Sequence, residues 1–189
     1  MLNKRKRGNF MLKKPFLLFF SLLGAIFILA SCGIGKDAVT DTKYKVSLQQ
    51  AAEIYEKEAG NSKPLVNVQF DTKPESDYSY IFTNDTETLY VNPETGKVTK
   101  NTEANQLGEN ETAFSAAEVK ELGAVNDVLA KAKKEVGGLS PRILTWKLTK
   151  NNNKLVYTVD VKTTTADEKV TLDANNKHKR ITYHEITKS

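Results

Sequence analysis

The sequence predicts an α+β fold built from two copies of one unit, each a helix packed on a three- to four-stranded antiparallel sheet. Three observations support this prediction. An amphipathic helix pattern occurs twice, three strand patterns follow each helix in the same order, and the connections between the strands are short. Parallel pairing would need crossover connections of a dozen or more residues, so short loops favour antiparallel pairing.

The first predicted element is a helix over residues 47–60. Apolar or small side chains recur there at helical spacing: Leu48, Ala51, Ala52, Tyr55 and Ala59. Ser47 and Gln50 have the spacing of a capping box, and Gly60 is a typical C-terminal stop. The next residues alternate apolar and polar side chains and therefore predict strands.

The same order of patterns returns further along the chain. An offset of 77 places a second helical stripe at Val125, Val128, Leu129, Ala132 and Val136, before Gly137. The three strands that follow each helix also correspond between the two copies. An offset of 78 relates Val66, Val68 and Phe70 to Leu144, Trp146 and Leu148, and an offset of 79 relates Tyr78, Tyr80 and Phe82 to Tyr157, Val159 and Val161. An offset of 81 relates Leu89 and Val91 to Val170 and Leu172. A fourth short strand is predicted at 97–99 and at 180–183. We interpret this pattern as a duplication in which the loops gained residues.

The predicted organisation is a signal peptide at 1–31, a tether at 32–45, a first repeat at 46–100, a linker with a short helix at 101–123 and a second repeat at 124–189. The linker is predicted to be exposed up to Ala113. Its helix is predicted to begin at a second capping box, Ser115 with Glu118, and to bend or break at Gly123. A unit of about 55 residues is marginal alone, so the two units are predicted to pack together or to share one sheet.

The charge is concentrated at the amino terminus. The 189 residues include 28 basic and 23 acidic side chains, and six of the basic ones lie within the first 14 residues. Subtracting these six leaves 22 basic side chains against 23 acidic ones, a net charge of −1. The remainder of the chain is therefore nearly neutral, and we expect no nucleic-acid partner.

Residues 1–31 have the order of a secretory signal: a basic stretch, an apolar run from Pro15 to Ala30, and small residues after it. The run of about 16 residues is short of the roughly 20 that span a bilayer, which argues against the alternative of a retained transmembrane anchor. Translation from Met1 or from Met11 would give the same mature protein.

The segment Leu29-Ala30-Ser31-Cys32 resembles the bacterial lipobox, and Cys32 is the only cysteine in the chain. The resemblance implies cleavage before Cys32 and attachment of a diacylglycerol to its sulfur. Two acyl chains anchor a protein stably, so we expect a lipid-anchored protein on the extracellular face of the cell membrane. A lone cysteine also excludes an internal disulfide.

The helix, the tyrosine-rich second strand and the third strand with its turn resemble the PepSY family. The third strand and turn read Leu89-Tyr90-Val91-Asn92-Pro93-Glu94-Thr95-Gly96, and the second copy keeps Asp173 but has no glycine where Gly96 lies. The resemblance covers roughly residues 46–100 and 124–184. It implies a cystatin-like α+β unit that binds or inhibits peptidases or acts as an envelope interaction module, with no catalytic residues to transfer.

Other candidate motifs favour structural interpretations. The sortase-like stretch Asn92–Gly96 lacks the apolar segment and basic tail of a wall-anchoring signal, so it is predicted to be a turn. His184 and Glu185 begin a zinc-protease motif, but Lys188 stands where the second histidine is required. Asp173 is followed by residues that do not fit a calcium loop. We expect no metal and no cofactor.

The sequence contains no nucleophile motif. We therefore expect a non-enzymatic binding module, with an envelope or secreted protein such as a peptidase as its partner. The alternative from a different class is an envelope receptor for a small molecule or cell-wall ligand bound between the two repeats.

Overall fold

The computed structural model describes residue 39, residues 43–60, 63–72, 77–102, 104–136 and 140–175, and the backbone of a strand at 180–186. The chain divides into two compact units, Met1–Cys32 and Gly33–Ser189. The predicted signal peptide and the lipobox residues Leu29, Ala30, Ser31 and Cys32 lie outside the described residues. All described residues belong to the second unit.

The second unit contains three helices and eight strands in its described part. In chain order they are α1 (Leu48–Ala59), β1 (Leu65–Asp71), β2 (Ser79–Asn84), β3 (Thr88–Val91), β4 (Val98–Asn101), α2 (Ala116–Lys120), α3 (Val125–Val136), β5 (Arg142–Asn151), β6 (Lys154–Lys162), β7 (Asp167–Asp173) and β8 (Arg180–Ile186). All strands join one sheet in the order β4-β3-β2-β1-β5-β6-β7-β8, with antiparallel neighbours throughout. The predicted α+β class is confirmed, and the two halves share one sheet.

The register of the sheet is symmetric about its centre. Strands β1 and β5 pair through three residues each, and the central pair, Gln69 with Lys147, is separated by 78 residues in the sequence. Both strands carry a register shift at matching places, between Leu65 and Asn67 in β1 and between Ile143 and Thr145 in β5. Each half therefore repeats the same helix and strand order about a pseudo-two-fold axis at the Gln69–Lys147 pair.

One predicted offset is wrong. Phe70 pairs with Tyr80 in the first half, and the matching residue Leu148 pairs with Tyr157 in the second. Tyr80 therefore corresponds to Tyr157, and the offset between the second strands is 77 rather than 79. The offset of 81 between the third strands is confirmed, because Tyr80 pairs with Val91 and Tyr157 pairs with Leu172. The offset does not grow steadily along the chain.

The core lies between one face of the sheet and the two long helices. Helix α1 packs on β2 and β3, and α3 packs on β5, β6 and β7. The helical stripes predicted from spacing supply the buried residues of both helices: Leu48, Ala51, Ala52 and Tyr55 in α1, and Val128, Leu129 and Ala132 in α3. These side chains and the inward residues of six strands, β1, β2, β3, β5, β6 and β7, form a single hydrophobic cluster.

The predicted linker is exposed at residues 102, 104–110, 112 and 113, as expected, and its last residues are hydrogen-bonded to the sheet. Leu65 and Phe114 exchange backbone hydrogen bonds of 2.7 and 3.0 Å, and the Thr112 N–H donates to the Lys150 carbonyl at 2.8 Å. Residues 111–114 thus fill the fork where β1 and β5 separate. Helix α2 begins at the predicted capping box of Ser115, and the chain breaks before α3 as predicted. None of the helices in the described part is long and apolar enough to cross a membrane.

Candidate binding groove between the two halves

A groove of about 340 Å³ lies where the amino termini of α1 and α3 meet above the centre of the sheet. Its lining comes from the segment before α1, the first turns of both helices and one strand residue: Lys43, Tyr44, Val46, Ser47, Leu48, Gln49, Tyr80, Ala124, Val125 and Asn126. This volume is at the lower end of the range for small-ligand pockets.

The two helix ends are held together by side-chain hydrogen bonds to backbone carbonyls. The Gln49 side chain in α1 donates to the Leu122 and Gly123 carbonyls, at 2.9 and 3.2 Å. The Tyr80 hydroxyl in β2 donates to the Val46 carbonyl at 3.0 Å. The Gln49 bonds tie the chain that enters α3 to the first half, and the Tyr80 bond ties the chain that enters α1 to the sheet of its own half.

The two helices differ at the residue before their first turn. Helix α1 has a complete capping box, in which the Ser47 hydroxyl accepts from the Gln50 N–H at 3.2 Å. The offset of 77 places Ala124 at the same position before α3. Alanine cannot accept a hydrogen bond from its side chain, and a serine-to-alanine change at a cap typically costs about 0.5–2 kcal/mol. Helix α3 thus starts at the groove without a side-chain acceptor at this position.

The floor of the groove belongs to a cluster of aromatic rings around the pseudo-two-fold axis. The Phe70 ring centroid lies 4.8 Å from Tyr80 and 5.9 Å from Trp146, and Trp146 lies 5.6 Å from Tyr157. Burial, with a smaller effect of Tyr44, raises the pKa of Tyr80. Burial, with a smaller effect of Tyr80, raises the pKa of Tyr157. Both phenols are therefore neutral hydrogen-bond donors at physiological pH.

Tyr157 is the symmetry partner of Tyr80 but has a different environment. It is 1% exposed, and its hydroxyl has no hydrogen-bond partner among the described residues. The carbonyl that corresponds to Val46 in the second half is Gly123, and that carbonyl accepts from Gln49 instead. The second half thus contains a buried hydroxyl that has no hydrogen-bond partner among the described residues.

The side chains that line the groove carry one positive charge, on Lys43, and no negative charge. The amino terminus of each helix adds the equivalent of about half a positive charge. Helix α1 has no acidic residue in its first turn, and Asp127 is the acidic residue in the first turn of α3.

A second groove of about 290 Å³ lies at the other end of α1, beside α2. Its charged lining residues are paired: Glu56 accepts from Lys120 at 2.6 Å, Glu118 from Lys150 at 2.8 Å, and Lys63 donates to Glu87 at 2.8 Å. The first pair joins α2 to α1 and the second joins α2 to β5, so the charged residues that line this groove are already paired.

The sequence motifs with candidate chemistry form turns. Gly96 has φ of +69°, and the Asn92 side chain accepts from the Glu94 and Thr95 N–H groups at 2.9 and 3.0 Å. The Asp173 side chain accepts from the Asn175 N–H at 2.9 Å. The part of the chain that the structure describes has no cluster of three metal-ligating side chains. His178 lies outside that part, and His184 lies in strand β8, which extends three residues beyond the predicted strand at 180–183.

Sequence reasoning missed the groove and Tyr44. The predicted tether extends to residue 45, yet the Tyr44 ring packs edge-on against Phe70 at 5.1 Å, and the Val46 N–H donates to the Pro93 carbonyl at 2.9 Å. The packed domain thus begins before the predicted end of the tether. A tyrosine among polar residues was the one available signal.

Two comparisons place the chain among known proteins. Residues 124–178 match the PepSY family, described as "Peptidase propeptide and YPEB domain", so a PepSY domain is present in the second half. The fold is similar to the crystal structure of a "putative lipoprotein" from Clostridium difficile 630, with a TM-score of 0.60 and 13% sequence identity. The similarity covers 80% of this chain and 99% of the other. No curated protein matches the chain.

At this identity the structural similarity concerns the fold alone. The class that these findings define is an α+β protein with a PepSY domain, consistent with a non-catalytic module. The match within 124–178 agrees with the predicted second repeat, and the presence of a first PepSY unit remains a prediction.

Proposed function

We propose that this protein is a lipid-anchored, extracellular, non-enzymatic binding module with two tandem PepSY-like units, and that its partner is a secreted or envelope peptidase. The observation that carries this proposal is the PepSY domain at 124–178, in a family whose description includes peptidase propeptides. The fold similarity to a protein described as a putative lipoprotein supports the anchoring part.

The architecture is compatible with docking by strand addition. The sheet ends at β4 and β8, and an extended segment of a partner can add a strand to such an edge. Strand β8 has seven residues and β4 has four, so β8 has the longer edge.

The peptidase proposal is tested by titrating the purified unit Gly33–Ser189 into an envelope fraction and measuring the hydrolysis of a protein substrate. The expected result is a saturable decrease or relocation of one peptidase activity. An unrelated domain of similar size and charge is the control. No change at any concentration would contradict the peptidase part of the proposal.

Anchoring is tested separately by fractionating cells that express the full chain. The variant Cys32→Ser is expected to leave the membrane fraction because it removes the sulfur that would carry the lipid. The control is Ser31→Ala, which keeps a small residue at the neighbouring lipobox position. Membrane retention of Cys32→Ser in its wild-type amount would contradict lipid anchoring.

A second candidate function is supported by the groove. A receptor for a small ligand bound between the repeats needs an apolar cavity with converging polar groups, and the groove has apolar walls with Gln49, Asn126 and Tyr80 beside them. Chemical-shift changes confined to groove residues on addition of a ligand would support this function.

A further inference from the structure

We propose that a short tether holds this protein against the bilayer with the amino-terminal ends of α1 and α3 on the side of the lipid. This inference rests on the proposed lipid anchoring at Cys32, and it adds the surface of the domain that faces the membrane. The partner of that surface is the layer of lipid headgroups.

Val39 is the residue that shortens the tether. It lies inside the segment 32–45 that the sequence predicts to be a tether, yet its side chain is 4% exposed and belongs to the hydrophobic cluster of the core. Five residues later, and so within about 18 Å, the Tyr44 ring packs against Phe70 at 5.1 Å. The packed domain therefore begins no later than Val39, and only six residues separate Val39 from Cys32.

The length of this tether decides how far the domain can turn. A chain spans at most about 3.6 Å per residue, so the seven steps from Cys32 to Val39 reach no more than about 25 Å. A tether that ran to Val46 would reach about 50 Å. The unit of 157 residues has a radius of gyration of about 15 Å, which corresponds to a sphere about 40 Å across. Because the shorter tether is less than this diameter, the domain cannot turn its opposite side to the lipid.

The contacts of the entering chain define which side faces the lipid. The Tyr80 hydroxyl donates to the Val46 carbonyl at 3.0 Å, and the Val46 N–H donates to the Pro93 carbonyl at 2.9 Å. Tyr80 lies near the start of β2 and Pro93 follows the end of β3, so the chain enters at the end of the sheet where α1 begins. The amino terminus of α3 lies beside it, because Tyr44 and Asn126 line the same groove. This end of the domain is therefore the one that the tether holds near the bilayer.

The opposite end of the domain then points away from the lipid. Helix α1 has 12 residues, which extend about 18 Å along its axis, and it ends at Gly60. The second groove lies at that end and includes Gly60 in its lining. A protein partner therefore has access to the second groove from the side away from the membrane.

The test attaches the chain Cys32–Ser189 to vesicles through its only cysteine and measures the height of two fluorescent labels. A maleimide lipid coupled to Cys32 replaces the cellular modification, and neutral phosphatidylcholine vesicles remove electrostatic attraction between lysines and lipid. The donor dye is attached to p-azidophenylalanine in place of Lys45 or Lys57, which lie at opposite ends of α1. Energy transfer to acceptor-labelled headgroups gives the height of each donor. We expect the label at position 45 to lie at least about 10 Å closer to the lipid, out of the roughly 18 Å that α1 spans.

Two variants test whether the tether causes this orientation. Insertion of 14 Gly and Ser residues after Gly35 lengthens the tether by up to about 50 Å and changes no described residue. The height difference is expected to fall at least twofold. Val39→Asp should have the same effect, because an unpaired carboxylate does not stay in an apolar core, and circular dichroism checks that the domain remains folded. Val39→Ile is the matched control and is expected to leave both heights unchanged.

The outcomes separate this inference from the proposed anchoring. Equal heights for the two labels, or a lower height at position 57, would overturn the orientation. Heights that do not change after the insertion would overturn the tether as its cause. Neither result depends on lipidation in cells, because the lipid is coupled chemically, and the fractionation of Cys32→Ser tests that step separately.

Discussion

The shared sheet predicts that the two halves unfold together, and Leu148→Ala tests this. Leu148 is 0% exposed in β5 and pairs with Val68 across the junction of the halves and with Tyr157 inside the second half. Both partners are fully buried, so the space left by the lost atoms cannot collapse easily. Truncating such a leucine costs about 3–5 kcal/mol from transfer and cavity terms together.

For a unit of 157 residues, each kcal/mol lowers Tm by about 2–4 °C, so the expected decrease is roughly 6–20 °C. The assay follows unfolding by far-ultraviolet circular dichroism and by fluorescence of Trp146, the single tryptophan, which is 2% exposed at the same junction. The two signals report on the whole sheet and on its centre, and we expect coincident transitions in wild type and variant.

The control is Leu107→Ala, because Leu107 is 43% exposed in the connecting segment and its truncation should change stability by less than about 0.5 kcal/mol. The reasoning would be refuted by a loss below about 1 kcal/mol for Leu148→Ala. Separate midpoints for fluorescence and circular dichroism would refute the single cooperative core.

Three further predictions concern individual residues of the first half. Gly96→Ala should cost about 1–2 kcal/mol in urea unfolding, because φ is +69° and an added Cβ would lie 3.2 Å from the Ile54 side chain; unchanged stability would contradict the turn. Asn84→Ala should cost about 1–3 kcal/mol by the same assay, since the buried side chain accepts two backbone N–H bonds of 2.8 Å, and a loss below about 0.5 kcal/mol would contradict this role. Glu87→Gln should destabilise the protein at pH 7, but progressively less as the pH falls. The hydrogen bond from Lys63 lowers the pKa of Glu87 below 4.5, so its contribution is present above that value and is lost as the pH falls through the folded-state pKa. Urea unfolding of wild type and Glu87→Gln at several pH values checks this prediction. A difference in unfolding free energy between the two proteins that does not change with pH would contradict it.

The helices and their ends could be predicted because their signals are local. The spacing of apolar residues identified both 12-residue helices, and Ser47 with Gln50 marked the start of α1. Each signal depends on residues within one or two turns, so no knowledge of tertiary contacts was required.

The strand register was harder to predict for a physical reason. Apolar and polar residues alternate with a period of two, so the pattern around Tyr78 and Tyr80 matches the second copy equally well at offsets that differ by two. Only the hydrogen-bonded partners show that Tyr80 corresponds to Tyr157.

The groove could not be predicted from local patterns at all. It forms because the pseudo-two-fold arrangement brings two helix starts together, which depends on the β1–β5 pairing between residues far apart in sequence. The sequence shows that the second copy has Ala124 where the first has Ser47, but only the structure shows that Ala124 lines the groove.

The proposed binding function is tested most directly by immobilising Gly33–Ser189 and identifying by mass spectrometry what it retains from cell envelopes, with an unrelated domain as control. The proposal predicts enrichment of a specific envelope peptidase, whose activity then changes saturably when the purified unit is added. Retention of nothing above the control, together with unchanged peptidase activity, would contradict the peptidase partner.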